Sequence, residues 1–314
     1  MADRSTQGWL LAAVLAAAVA FPFAAEALGA GYYVGVATRV MIYALAASSL
    51  NLVIGYGGMI SFGHAAFFGA GAYAVAILAQ EGVVSALVAW PLAVAVSVAC
   101  ALVIGAISLR TRGLYFIMIT LAFAQMLYYF FLSLKAYGGE DGINLAARSR
   151  LPGLDLRDET AFYLLVLAIL AGCLYLLKRL AASRFGAVLR GIRENEGRMT
   201  ALGYPTYRYR LVCFTIAGGA AGLAGALIVN QHGFVSPSLL DWTQSGTLLI
   251  MLILGGVGWL YGGVAGAAAM LLLEEILSNW TGYWKLGLGI VLLFVVLRAP
   301  GGIGSWLGGG GGRG

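Results

Sequence analysis

The sequence predicts an all-α fold, a polytopic transmembrane helical bundle of about 8–10 spans in which some helices are broken or re-entrant. Composition, the length of the apolar runs and the charge of the loops support this prediction. Of the 314 residues, 61% are hydrophobic and only 10% are charged, and the mean hydropathy is +0.90. A soluble domain carries charge on about a quarter of its residues. A lipid bilayer accommodates this much apolar surface, and water does not.

Ten apolar segments have the composition of membrane helices, and their continuous hydrophobicity excludes the alternating pattern of a membrane β-barrel. The first resembles a signal peptide but lacks a convincing small-residue cleavage site, so we expect it to be retained. The eighth and tenth are short, which favours tilted, broken or re-entrant helices. The segments lie at about 8–28, 33–54, 59–79, 84–108, 113–134, 161–180, 209–229, 243–258, 262–280 and 285–298.

The charge of two loops predicts the orientation. Residues 178–210 contain eight basic and two acidic side chains, whereas 135–159 contain four basic and five acidic ones. Basic loops remain in the cytoplasm. We therefore expect a cytoplasmic loop at about 181–208, a periplasmic loop at about 135–160 and, with ten spans, both termini in the cytoplasm. The predicted domains are a membrane domain over 1–300 and a flexible glycine-rich tail over 301–314.

The basic loop has an amphipathic pattern that predicts two short helices separated by an acidic step. Gly203 suits the end of the second helix. An amphipathic loop lying on anionic lipid and a helix docking in the groove of a partner protein are both consistent with this pattern. The apolar positions that share one helical face are Phe185, Val188, Leu189 and Ile192.

Glycines interrupt the second and third apolar segments. Backbone freed from a helix at membrane depth is tolerated only beside protein or a water-filled cavity. A shift of 200 residues pairs Gly55 with Gly255 and Gly58 with Gly258. This pattern is typical of transporters built from repeats with interrupted helices, although chance matches remain an alternative in a chain with 46 glycines.

Four stretches, in this order along the chain, resemble signatures of the branched-chain amino acid (LIV) permeases of ABC importers. The resemblance covers roughly residues 35–300, and the second and third stretches are most similar to the M-type subunit. The stretches are SLNLVIGYGGMISFGHAAFFGAGAY at 49–73; LRTRGLYF at 109–116 with TLAF at 120–123; RENE at 193–196 with ALG at 201–203 and YRL at 209–211; and LGGVG at 254–258 with YG at 261–262.

This resemblance implies a permease subunit of an ATP-driven importer for branched-chain amino acids or a related small solute, such as urea, a short amide or an aromatic acid. It also implies a bacterial cytoplasmic (inner) membrane location and several partners: a homologous permease subunit forming a heterodimer, two cytoplasmic ATP-binding subunits, and a periplasmic substrate-binding protein. The implied ATPase-coupling residues are Arg190, Arg193, Glu194, Asn195, Glu196, Leu202 and Gly203.

Several polar residues lie within the apolar segments and are candidates for a translocation path, because polar groups at membrane depth are costly. Hydrogen bonding between helices is the alternative for most of them; for His64 it is a neutral packing histidine, and for Glu274 a helix end. The candidates are Asn51, Ser61, His64, Thr120, Gln125 and Glu274.

The sequence contains no phosphate-binding GxxxxGK[ST] loop, no HExxH or GxSxG motif and no cluster of metal ligands. We therefore expect no enzymatic activity, no metal and no cofactor, with ATP bound by partner subunits. Membrane lipid is an expected partner and nucleic acid is not. The alternative function is that of an ion- or proton-coupled secondary transporter, which would act without an ATPase.

Overall fold

The computed structural model describes residues 4–280, 282–298 and 301–306, and these residues are almost entirely helical. Two short strands, β1 (Ile143–Asn144) and β2 (Phe234–Val235), pair antiparallel. The helices are α1 (Arg4–Ala27), α2 (Tyr32–Asn51), α3 (His64–Gln80), α4 (Ala86–Ser108), α5 (Leu114–Ser133), α6 (Glu159–Ala182), α7 (Arg184–Glu194), α8 (Glu196–Ala201), α9 (Thr206–His232), α10 (Trp242–Gly255), α11 (Gly262–Trp280), α12 (Trp284–Arg298) and α13 (Gly302–Trp306).

Each of the ten predicted segments contains a helix, which confirms the all-α polytopic bundle. Within the described residues, five helical stretches are long and apolar enough to cross a membrane. Four further apolar helices are shorter, including α3 and α10. The five long stretches are Tyr32–Tyr56, Ala86–Ser108, Leu114–Ser133, Glu159–Ala182 and Thr206–His232.

Helix α9 lies at the centre of the bundle and packs against α2, α3 and α4. Its glycines allow these helices to approach closely: a Cβ atom on Gly225 would collide with the carbonyl group of Phe68, and one on Gly222 with Ser97. Small residues serve this purpose in membranes because close van der Waals contact holds helices together there. The face formed by Gly218, Ala221, Gly222 and Gly225 is buried.

The chain leaves helical geometry between α2 and α3. Helix α2 continues as a π turn (Leu52–Tyr56), and the chain then crosses 57–63 without regular structure. The predicted third segment, 59–79, becomes helical only at His64, and the irregular backbone before it lies where the glycines were expected to interrupt the helix; Gly58 has a φ of +66°. Side-chain hydroxyls satisfy the freed backbone N–H groups, as membrane burial requires: Phe62 donates to Thr120 (3.3 Å), Gly63 to Ser61 (3.1 Å) and Ala65 to Ser245 (2.9 Å).

The α7–α8 hairpin and the loop between α5 and α6 lie at opposite ends of the bundle. The hairpin precedes α9, whose 27 residues extend about 40 Å. At the other end of α9, strand β2 pairs with β1 of the α5–α6 loop. We call these the hairpin end and the sheet end. The sheet end is held by Asn230, whose side-chain oxygen accepts a hydrogen bond from Ser149 N (2.8 Å).

The start of the predicted flexible tail is helical. Residues 302–306 form α13, which packs against α10 and α11. Gly302, with a φ of +64°, and Gly304 permit this approach, because a Cβ atom on either would touch Gly256 or Trp259 at under 3 Å. The glycine run at 308–312 lies outside the described residues.

We predict that Gly225→Ala lowers the free energy of unfolding by about 1–3 kcal/mol, because one methyl group would force α9 away from α3. Gly172→Ala is the matched control, since a Cβ atom added to that helical glycine of α6 would meet no other atom within 4 Å. Thermal unfolding of the purified variants in detergent measures the difference. Equal midpoints for both variants would contradict the packing argument.

Candidate coupling and translocation site

The α7–α8 hairpin is a compact projection whose helices begin at two side-chain caps. The Ser183 hydroxyl accepts a hydrogen bond from Gly186 N (3.4 Å) at the start of α7. The Asn195 side chain accepts one from Arg198 N (2.9 Å) at the start of α8. Each cap satisfies an N–H group that has no partner within its own helix. Asn195 has an extended backbone, so the RENE sequence forms the corner between the two helices.

Helix α7 is fixed to the bundle by its apolar face. Val188, Leu189 and Ile192 are buried, while Phe185 is partly buried and stacks on Tyr209 with 5.4 Å between ring centroids. The helix contacts α6, α9 and the π turn. The apolar face therefore rests on protein, and the opposite face of α7 is available to a partner or to lipid head groups.

Arg193 connects α7 to the π turn that follows α2. Its Nη1 atom donates a hydrogen bond to the carbonyl oxygen of Gly55 in the π turn. A Cβ atom on Gly58 would lie 2.9 Å from Cγ of Arg193, so the arginine side chain packs directly on the glycine turn. A displacement of α7 would thus act on the point where α2 loses its helical geometry.

Asn51 joins this first break to a second one, the irregular segment 256–261 between α10 and α11. Its side-chain oxygen accepts a hydrogen bond from Gly258 N (2.9 Å), and its side-chain nitrogen donates to the Trp259 carbonyl (2.6 Å). The backbones are also close, because a Cβ atom on Gly55 would lie 2.7 Å from Gly258 N. We call Asn51, Gly55, Arg193 and Gly258 the junction.

Glu196 holds α8 against α9. Its carboxylate lies 3.1 Å from Nη1 of Arg210 and 3.4 Å from Nε of Arg112, and the Thr206 hydroxyl donates to it at 3.4 Å. The side chains of Glu196 and Arg210 are 17% and 15% exposed, which shields their attraction from solvent. The Arg112 side chain is 76% exposed, so its ion pair contributes little.

The other predicted coupling residues lie on the outer surface of the hairpin or support it. Arg190 donates to the carbonyl of Ala181 (2.7 Å), which ties α7 to the end of α6. Glu194 is exposed, and Leu202 is 65% exposed. Gly203 has a φ of +85° and forms the turn that ends α8. An acidic and an apolar side chain are thus presented outward at the corner and end of the hairpin.

The structure brings four of the six predicted path residues to the first break. Asn51 belongs to the junction, and Ser61 and Thr120 bind the irregular backbone. His64 is fully buried, with its Nε2 atom 2.7 Å from the Ser49 hydroxyl oxygen. These partners favour hydrogen bonding within the protein for Asn51, Ser61 and Thr120. For His64 they favour the packing-histidine alternative, although its buried Nδ1 atom has no hydrogen-bond partner among the described residues.

The remaining two predicted path residues lie elsewhere. Gln125 faces Asp241, with 3.5 Å between its amide nitrogen and the carboxylate. Glu274 is paired with Arg39, with Nη2 and Oε1 3.5 Å apart. Arg39 was not among the predicted path residues, although it is the only charged residue in the predicted segment 33–54. A solitary charge at membrane depth was the signal that could have identified it. The second break, at Gly258 and Trp259, was identified only as a family signature.

Long apolar helices, two irregular glycine-containing connections between helices and an ordered basic hairpin at one end define a multi-pass membrane permease. The chain belongs to the family of permease components of branched-chain amino acid transport systems, whose model matches residues 32–297. It is similar to the high-affinity branched-chain amino acid transport system permease proteins LivM of Salmonella typhimurium and Escherichia coli. Each is 29% identical over 327 residues, which covers 96% of this chain and 76% of the relative. No solved structure matches the chain.

We predict that Asn51→Leu separates the two breaks, because it removes both hydrogen bonds and leaves the partly buried N–H of Gly258 and C=O of Trp259 without their partner. A fully buried unpaired group costs about 1–3 kcal/mol, and partial exposure lowers that cost. Hydrogen–deuterium exchange should become faster in peptides covering 256–261. Asn144→Leu, the same change at an exposed position in β1, is the control. Unchanged exchange at 256–261 in the Asn51 variant would show that the junction does not stabilise the second break.

Proposed function

We propose that the chain is the M-type permease subunit of an ATP-driven importer of branched-chain amino acids, acting in the bacterial inner membrane. It would form the translocation path with a homologous permease subunit, receive substrate from a periplasmic binding protein, and be driven by two cytoplasmic ATPases that bind the ATP. The single observation that best supports the coupling role is the contact of Arg193 with Gly55, which links the exposed hairpin to the π turn at the end of α2.

The charge distribution supports a cytoplasmic hairpin end. Eight basic residues lie in 178–210, at the end where α6 finishes and α9 begins. Basic segments of this length stay in the cytoplasm. The sheet end, with its ordered α5–α6 loop, would then face the periplasmic binding protein. Glu194 and Leu202 would contact the ATPase groove in the helix-in-groove manner.

The junction provides a mechanical route from ATPase to membrane helices. Movement of α7 would pull the Gly55 carbonyl through Arg193, and Asn51 would transmit the movement to Gly258. Gly58 and Gly258 have φ angles of +66° and +83°, a region that favours glycine, so each break can act as a hinge. Nucleotide-dependent closure of the ATPases would then favour one of two arrangements of the helices.

We predict ATP-dependent uptake of leucine by the complete importer in proteoliposomes. The permease pair, the ATPases and the binding protein are reconstituted together, and radiolabelled leucine is counted with and without internal ATP. Uptake that persists without ATPase subunits and follows an imposed ion or proton gradient would contradict this function and support the secondary transporter.

We predict that Glu196→Lys weakens ATPase association about tenfold or more, because it places a third positive charge beside Arg112 and Arg210 and releases α8. Co-purification with the ATPase subunits measures this loss, while membrane insertion remains intact. Glu140→Lys makes the same charge change on an exposed residue at the sheet end and should retain the ATPases. Normal association and normal ATP hydrolysis in the Glu196 variant would exclude this hairpin as the coupling site.

A further inference from the structure

Helices α2 and α11 bring a pair of opposite charges together near the sheet end. Nη2 of Arg39 lies 3.5 Å from Oε1 of Glu274. The pair is only partly covered, since the side chains are 38% and 24% exposed. The guanidinium group also lies 5.8 Å from the centre of the Tyr43 ring, and the Tyr43 hydroxyl accepts a hydrogen bond from Gln244 of α10 (3.1 Å).

Exposed aromatic residues indicate the depth of this pair. Tyr and Trp concentrate at membrane–water interfaces, and the side chains of Tyr32, at the start of α2, and Trp280, at the end of α11, are exposed at this end. Along each helix axis, at 1.5 Å per residue, Arg39 lies about 10 Å from Tyr32 and Glu274 about 9 Å from Trp280. Both charges therefore lie about two helical turns inside the helix ends that these aromatic residues mark.

A partly exposed charged pair at this depth does not face hydrocarbon, because the desolvation cost is too high. Its open side must meet a polar path or another protein. The hydrogen-bonding capacity of the pair is also incomplete. Among the described residues, buried Nε of Arg39 has no hydrogen-bond partner. Buried Oε1 of Gln231 also lacks one, and the amide nitrogen of this residue donates to the carbonyl of Gly35 (2.6 Å), one turn from Arg39 on α2.

We infer that Arg39 and Glu274 form a subsite of the translocation path that binds the zwitterionic head of an α-amino acid. Arg39 binds the α-carboxylate through its guanidinium fork, and Glu274 binds the α-ammonium group. This inference rests on the proposed import function and adds to it a place where the permease itself contacts the substrate.

The physical reason is that a zwitterion entering an apolar layer loses hydration at two opposite charges simultaneously. A site with one cation and one anion compensates both, and charge-assisted hydrogen bonds are the strongest available for this purpose. When the site is empty, Arg39 and Glu274 neutralise each other, so the pair itself carries no net charge. A loose separation of 3.5 Å allows the pair to open for a ligand of the same charge pattern.

The test uses the complete importer in proteoliposomes with saturating leucine-loaded binding protein. Arg39→Gln and Glu274→Gln should each reduce the rate of leucine uptake about tenfold or more, the effect of losing one charge-assisted hydrogen bond. Both variants should still assemble with the partner subunits and hydrolyse ATP. Glu275→Gln is the matched control, because this neighbouring carboxylate instead accepts a hydrogen bond from the hydroxyl of Tyr32 (2.9 Å) and should support normal uptake.

The exchange variant Arg39→Glu with Glu274→Arg separates a subsite from a structural ion pair. A structural pair is restored by the exchange, whereas a subsite is not, because the carboxylate and ammonium positions are reversed relative to the path. Where a glutamine variant fails to accumulate, Arg39→Lys and Glu274→Asp replace it, with a smaller loss of uptake expected in assembled protein.

Three results would overturn the subsite. The first is that Arg39→Gln and Glu274→Gln take up leucine as fast as the Glu275→Gln control. The second is recovery of uptake in the exchange variant, and the third is that Arg39→Gln or Glu274→Gln no longer assembles with the homologous permease. The last would make the pair a subunit contact. Failure of wild-type importer to take up leucine with ATP would instead reject the proposed function, together with this inference. A loss confined to the Arg39 and Glu274 variants, with wild-type uptake intact, supports the subsite.

Discussion

The hydrogen bonds from Asn51 to Gly258 and Trp259 are the interaction on which the organisation of the hairpin end depends. Two connections between helices leave helical geometry at this end of the bundle, and the protein must supply partners to those of their backbone groups that water does not reach. The Asn51 side chain, at the end of α2, is both a hydrogen-bond donor and an acceptor. It therefore supplies both partners to the second break, at 256–261. The two irregular segments are thereby connected to each other, and Arg193 connects them to the α7–α8 hairpin.

Glycine makes this connection sterically feasible. At Gly55 the neighbouring break is so close that a Cβ atom would lie under 3 Å from its backbone. The same geometry recurs at Gly225 in the core of α9, but with a different consequence. In the core, close contact between continuous helices produces rigidity. At the junction, glycines lie next to irregular backbone with positive φ, a conformation that glycine adopts without strain. The residue type is the same in both places, and whether the neighbouring backbone is helical decides whether glycine serves packing or a turn.

The sequence predicted the helices well because continuous apolar runs leave few alternatives, and it predicted the hairpin because Val188, Leu189 and Ile192 recur at helical spacing. The start of α3 was predicted too early, because apolar character does not distinguish a helix from irregular backbone whose hydrogen bonds are satisfied by side chains. The contact of Asn51 with Gly258 was beyond sequence analysis of a single chain. The two residues lie in different helical hairpins, and no local pattern encodes which polar group meets which break.

Polar residues within the apolar segments look alike in sequence, but their hydrogen bonds divide them into two groups. Ser61 and Thr120 are buried with partners that the fold supplies, so their polarity is used to stabilise the break. Arg39 differs from them because its side chain is 38% exposed while its Nε atom is buried without a partner. Placing an incompletely bonded arginine among apolar helices costs folding free energy. What singles out Arg39 as a site for a transported solute is its partial exposure together with an opposite charge on α11, since a buried atom alone cannot reach a ligand.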